Sequence, residues 1–213
     1  MSTPATETLV GQAEKMQRYY RLQSKIYDAT RWTFLFGRKR VIRALPFEAN
    51  AEDLRILEVG CGTGYNLARL AQRFPKAKLF GMDVSEDMLE LSRKRVAPWA
   101  ERVELLGKPY GADAQWKEGF DVILFSYSLT MINPQWESLI LQAKQDLKPG
   151  GIIAVADFHN SPFGWFKRHM GNNHVRMDGH LLPVLESHFA NLTKEVRKAY
   201  AGIWEYVIYV GKK

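Results

Sequence analysis

The chain has 213 residues, a formal net charge of +7, one cysteine and an ordinary apolar share of 46%, which suits a single α/β domain with an appendage and allows a real core. No run of eighteen apolar residues occurs, which excludes a membrane-spanning helix, and the lone Cys61 excludes an internal disulfide and suits a reducing cytoplasm. Met1 to Glu14 lack a hydrophobic stretch behind a basic start, so no secretory signal is expected.

Residues 1–50 read as an N-terminal helical cap. A helix is predicted over about 11–28, where Met16, Tyr19, Tyr20, Ile26 and Tyr27 recur near helical spacing with Arg18, Arg21 and Lys25 between them. A second is predicted over about 31–44. It carries Trp32, Phe34, Leu35 and Phe36, then Arg38-Lys39-Arg40, and Pro46 closes it. These fifty residues hold nine Lys/Arg against four acids. Such a segment seeks phosphate, in nucleic acid or on an anionic bilayer, although a solvated helix face has the same composition.

Residues 51–213 read as the main domain. Strands are predicted at about 54–59, 77–82, 102–106, 120–125 and 152–156, with helices after Gly64, from Ser85 to Val96 and over 134–147. Ser85 is a good N-cap, with Met88 and Leu89 turned inward. Leu147-Lys148-Pro149-Gly150-Gly151 reads as a turn into the fifth strand. This alternation implies a mostly parallel sheet with helices on both faces and ligands at the carboxyl ends of the strands, where Glu58, Asp83, Ser126 and Asp157 fall. The rhythm then breaks. Phe158 to Met177 is expected to be a long aromatic and basic loop, a lid insertion at about 158–177. A helix over about 178–188 and two antiparallel strands, about 190–199 and 203–210, complete a seven-stranded sheet.

The most informative stretch is Leu57-Glu58-Val59-Gly60-Cys61-Gly62-Thr63-Gly64. An apolar run ends in an acid, and three glycines at alternate positions let a strand turn into a helix with almost no side-chain bulk, so that a ligand can lie against the backbone. Cys61 reads as a small buried filler. The next apolar run ends at Asp83, where a ribose diol would be gripped. The G-x-G-x-G spacing differs from the G-x-G-x-x-G of nicotinamide sites.

Together these residues resemble the class I S-adenosylmethionine-dependent methyltransferases, and the resemblance covers about residues 52–157. It implies a Rossmann-like fold with S-adenosylmethionine as cofactor, bound by Glu58, Gly60, Cys61, Gly62, Gly64, Asp83, Val84, Met88 and Ser126. The family often carries an Asp near the end of strand three for the adenine amino group. Here Leu106 is followed by Gly107, Lys108 and Pro109, and the nearest acid is Asp113.

Two further stretches, Lys25 to Arg38 and His174 to Leu181, resemble the N-methyltransferases of betaine-lipid synthesis, which convert diacylglyceryl-homoserine to its trimethylated form. That resemblance implies a lipid-headgroup amine as substrate. Enzymes that methylate phosphatidylethanolamine share the Tyr-Asp near the N-terminus. The residues point the same way. Trp32, Phe34, Phe36, Phe163, Trp165 and Phe166 are candidate wedges for a headgroup layer, with Lys167 and Arg168 beside lipid phosphates. The expected place of work is the inner face of a membrane, reached peripherally from the cytoplasm.

A quaternary ammonium product would be held by aromatic faces, for which Tyr19, Tyr27, Trp32 and Tyr127 are candidates. Tyr27 is also a candidate for orienting the amine. Arg176 is the candidate partner for a homoserine carboxylate, with a surface pair to Asp178 as the alternative. His174 and His180 are candidates for shaping the headgroup pocket, and His180 for assisting proton removal. The five histidines do not match a zinc signature, so no metal is expected. Two other classes stay open. One is a methyltransferase acting on RNA or a soluble molecule, although the N-P-P-Y/F signature is absent after strand four and no nucleic acid is expected. The other is a catalytically silent cofactor-binding module. The oligomeric state is left open.

Overall fold

The computed structural model describes residues 34–111 and 116–213. The predicted helix over 11–28, with Tyr19 and Tyr27, lies outside the described residues, as do Trp32 and Asp113.

Among the described residues a seven-stranded sheet has the order β3-β2-β1-β4-β5-β7-β6. Its strands are β1 (Arg55–Val59), β2 (Lys78–Met82), β3 (Val103–Leu106), β4 (Phe120–Ser126), β5 (Leu147–Asn160), β6 (Ala190–Ala199) and β7 (Trp204–Lys212). β1 to β5 are mutually parallel. β7 runs antiparallel between β5 and β6. The central strands are buried on both faces, which is why they read as continuous apolar runs. Adjacent residues of one strand feed opposite cores: Ile56 packs with the helices on one face and Leu57 with those on the other.

Six helices cover the sheet among the described residues: α1 (Arg38–Arg43), α2 (Tyr65–Arg73), α3 (Glu86–Val96), α4 (Trp136–Asp146), α5 (Gly164–Asn172) and α6 (Leu181–His188). The first face is packed by α1, α2, α3 and Phe166 of α5, the second by α4 and α6. Gly81 on β2 lets α2 sit directly on the sheet, since a Cβ there would stand 2.5 Å from Leu67 Cδ1 of α2. Arg73, at the end of α2, donates to the Leu45 and Phe47 carbonyls at 3.1 and 3.4 Å and to Ile42. One guanidinium thus ties the C-terminal end of α1 and the residues after it to the domain.

Three expectations need correction. Where a helix was predicted from about 31, the described part begins only at Arg38. Gly37 adopts φ 80°, and its bare Cα meets the Tyr206 ring, so the chain turns sharply there and Phe34 and Phe36 stack on Trp204 and Tyr206 instead of continuing a helix. The segment 158–177 is not a loop throughout. β5 pairs with β7 as far as Asn160, the Ser161 hydroxyl then accepts from the Phe163 amide, and α5 follows. Finally, β5 starts at Leu147 rather than 152, because Lys148 to Gly151 is absorbed as an irregularity in the β4–β5 ladder.

Candidate active site

The glycine turn joins β1 to α2. Gly60 (φ 73°) and Cys61 donate to the Met82 carbonyl at 2.8 and 2.9 Å, which draws the turn toward β2. The three glycines differ in what they face. A Cβ on Gly60 would stand 2.8 Å from Ser128 Cβ, and one on Gly64 (φ 75°), the N-cap of α2, 3.1 Å from Ser92 Cα. A Cβ on Gly62 (φ 52°) would meet nothing within 4 Å. Gly60 and Gly64 are therefore bare to let the protein close on itself, and Gly62 is bare toward open space at the head of the cleft. Cys61 is buried.

Asp83 closes the other side. One carboxylate oxygen accepts from the Gly62 amide at 2.8 Å, the other from the Ser85 amide at 3.0 Å. Burial raises its pKa against the pull of these backbone amides. Ser85 caps α3 by accepting from the Met88 amide at 3.4 Å, which leaves Val84 half-buried and Met88 buried beside the acid.

Glu58 forms the floor. It is 1% exposed, and Oε1 accepts from Asn66 Nδ2 at 2.7 Å. Oε2 has no partner, nor do the buried hydroxyls of Ser126 and Ser128. Burial pushes the Glu58 carboxyl up to about 8, against the opposing influence of Asn66 and the Arg38 charge. Arg38 lies at the same end, its guanidinium 4.0 Å above the Tyr65 ring. A cluster of unpartnered, buried oxygens suits a ligand with hydrogen-bond donors and positive charge.

A second group of polar residues flanks the cleft. Asp157, buried at the end of β5, accepts from the Thr130 hydroxyl at 2.5 Å and the Thr130 amide at 3.3 Å, and its carboxyl is raised to about 6 by burial. Thr130 lends its carbonyl to the Arg176 amide at 2.9 Å, and the Gly179 amide donates to the His159 carbonyl at 2.8 Å. The loop after β4 therefore has the glycine turn on one side and the 174–180 segment on the other. In that segment Asp178 is shared: Oδ2 accepts from Arg176 Nε at 2.8 Å, and Oδ1 lies 2.5 Å from His180 Nδ1. The His180 ring meets the Trp136 face edge-on at 4.5 Å. His174 is exposed, with φ 63°.

Several sequence-derived assignments change. Tyr127 is buried, its hydroxyl donates to the Phe36 carbonyl at 2.8 Å and its ring packs edge-on against Phe158 at 4.8 Å, so it anchors the cap rather than offering a face to a cation. Arg176 makes the surface pair with Asp178 that was its alternative. Of the basic triplet, Arg38 lies over the Tyr65 ring and Arg40 pairs with Glu195 at 2.9 Å. Phe166 is buried, while Phe163 and Trp165 are 44% and 63% exposed. Asn66, Ser128 and Trp136 were missed. Asn66 sits two residues past Gly64 and eight residues past the acid it serves. Nothing in the sequence marks the other two.

Residues 56–151 match the family described as methyltransferase domain. The match covers 96 of the 213 residues, a little under half of the chain. A malonyl-[acyl-carrier protein] O-methyltransferase of Priestia megaterium is 28% identical over 148 residues, 70% of this chain and 53% of that protein. In fold, a geranyl diphosphate C-methyltransferase from Streptomyces coelicolor, solved with S-adenosyl-L-homocysteine, aligns with TM-score 0.68 at 13% identity over 82% of this chain and 74% of that one. A phosphoethanolamine N-methyltransferase of Haemonchus contortus aligns with TM-score 0.71 at 16% identity, covering 91% and 59%. The chain spans about half the length of the curated relatives it matches. The class I methyltransferase fold is therefore established, across relatives that methylate oxygen, carbon and nitrogen.

Proposed function

We propose that the chain is an S-adenosylmethionine-dependent N-methyltransferase acting on the amine of a lipid headgroup, with diacylglyceryl-homoserine as acceptor. The observation that carries methyl transfer is the bare Gly62 facing open space beside Asp83. Glu58 Oε2, Ser126 and Ser128 suit the donor-rich cationic end of the cofactor, and Asp83 suits its diol. The bound cofactor supplies a methyl carbon already activated by a sulfonium. The protein's part is to align the acceptor and exclude water.

The lipid reading rests on the resemblance of the Lys25–Arg38 and His174–Leu181 stretches and on the α5 surface. Phe163 and Trp165 stand exposed at the start of α5, with Lys167 and Arg168 one turn on. Apolar side chains rimmed by cations suit an anionic bilayer, and each basic residue near such a surface adds about 1 kcal/mol. Among the described residues no helix is long and apolar enough to cross a membrane, so the substrate would be reached from the interface. The homoserine carboxylate would find Arg176 at the far end of α5, in exchange for or beside Asp178.

The test is mass spectrometry of products after incubating the purified chain and S-adenosylmethionine with vesicles of diacylglyceryl-homoserine, of phosphatidylethanolamine, or with soluble carboxylic acids and amines. Stepwise gains of one, two and three methyl groups on the homoserine lipid are expected. Methylation confined to ethanolamine lipid or to soluble compounds would replace this acceptor.

A further inference from the structure

The 174–180 segment holds an imidazole arranged as a base. The His180 side chain is only 6% exposed. Its Nδ1 lies 2.5 Å from Asp178 Oδ1, and a carboxylate oxygen at that distance accepts a hydrogen bond. The Nδ1 position therefore carries the proton, and Nε2 carries the lone pair. That Nε2 is buried and has no partner. An unmatched buried acceptor costs about 1–3 kcal/mol, so an incoming N–H would be taken up favourably. Two more buried groups in the neighbourhood lack partners: His159 Nδ1, on the residue whose carbonyl holds Gly179, and the Gln135 side-chain amide, next to the Trp136 that packs on His180.

Resting on the amine-acceptor reading above, we infer that His180 removes the proton from the substrate ammonium and that Asp178 is its positioning residue, fixing the tautomer that leaves Nε2 bare. An ammonium cannot attack a methyl carbon, because its lone pair is occupied. His180 Nε2 takes one N–H proton and becomes an imidazolium, whose charge is shared with the Asp178 carboxylate. The neutral amine then forms the C–N bond, the C–S electron pair goes to sulfur, and the imidazolium releases its proton to solvent. Each of three successive methylations of a primary amine sheds one proton, so the base is needed every time.

Three charged or titratable groups act on this imidazole directly, and a fourth acts through one of them. Burial lowers its pKa, Asp178 raises it, and Arg176 and His159 lower it. His159 itself is lowered by burial and raised by Glu205. Removing Asp178 should therefore move the base to lower pH, and removing Arg176 should move it to higher pH. A merely structural role for the segment would not produce opposite shifts.

The experiment measures the rate of methyl transfer to diacylglyceryl-homoserine vesicles against pH, at saturating S-adenosylmethionine, for the native chain and for His180→Gln, Asp178→Asn and Arg176→Gln. S-adenosylhomocysteine affinity by calorimetry checks that each variant is folded. The rate of His180→Gln should fall about 100-fold at pH 7, recovering as pH approaches the amine's own pKa. The rising limb for Asp178→Asn should move to lower pH, and that for Arg176→Gln to higher pH. Unmoved pH profiles in variants that bind the cofactor product normally would overturn the dyad while leaving the amine reading in place. Cofactor binding with no turnover of any amine by the native chain would overturn the amine reading, and the base assignment with it.

Discussion

Gly62→Ala separates a ligand-facing glycine from a packing one. Gly62 has φ 52°, a conformation that costs an L-residue about 1–2 kcal/mol, partly offset by about 0.4–1 kcal/mol because alanine restricts the unfolded chain. The added methyl meets no protein atom within 4 Å, so the net cost to folding should be about 1 kcal/mol. For a chain of this size that lowers the melting temperature by about 2–4 °C. Gly64→Ala bears the same kind of conformational strain, and its Cβ would press on Ser92 Cα at 3.1 Å, within a helix start that cannot shift freely. Overpacking adds about 1–3 kcal/mol, so Gly64→Ala should lose about two to four times as much stability. Cofactor binding should order the variants differently. The Gly62 methyl occupies the space where a ligand lies against the backbone, and affinity for S-adenosylhomocysteine should fall about 100-fold. In a thermal melt, a ligand at one hundred times its native dissociation constant stabilises the native chain by about 2.7 kcal/mol. It would stabilise Gly62→Ala by about 0.4 kcal/mol. If Gly62→Ala keeps its affinity within a factor of two, the ligand does not lie there. If it loses as much stability as Gly64→Ala, the distinction between the glycines fails.

Other outcomes follow from the same geometry. Asp83→Ala removes both acceptors that hold the Gly62 and Ser85 amides, and should abolish cofactor binding by calorimetry; unchanged affinity would remove the diol role. Glu58 holds its proton up to about 8 when folded and to about 4.5 when unfolded, so between those values the folded state binds more protons and stability falls as pH rises. Glu58→Gln lacks that loss, so its stability relative to the native chain in urea should grow by up to about 1 kcal/mol per pH unit from pH 5 to 8; parallel curves would refute the buried protonated acid. Replacing Phe163 and Trp165 by Ser should weaken sedimentation with anionic vesicles at least tenfold and leave S-adenosylhomocysteine affinity alone. Retained vesicle binding would move the membrane contact elsewhere.

The parts of this site that were legible in the chain are those where one residue type can do the job and its position is local. Glycine sustains φ 73°, 52° and 75° in alternation at the least cost, and the short acid at the end of β2 reaches across to Gly62, so Gly60 to Gly64 and Asp83 announce themselves. The parallel strands did so too, because burial on both faces leaves an unbroken apolar run. What stayed hidden depends on partners distant in sequence. Tyr127 looks like a free aromatic until Phe36, ninety-one residues away, claims its hydroxyl. Arg40 looks like a membrane-facing cation until β6 brings Glu195 to it. The start of α1 is set by the Tyr206 ring against Gly37, a contact that propensity does not encode. The histidine segment is intermediate. Arg176, Asp178 and His180 lie within five residues, and their spacing alone allowed either a carboxylate clamp or a surface pair. What turns the triplet toward base chemistry is its surroundings: the His180 and Trp136 rings pack edge to face, and Nε2 is buried and unpartnered while an acid holds Nδ1. A tryptophan forty-four residues upstream thus helps decide whether a local acid–histidine pair is a solvated ornament or a base withdrawn from water.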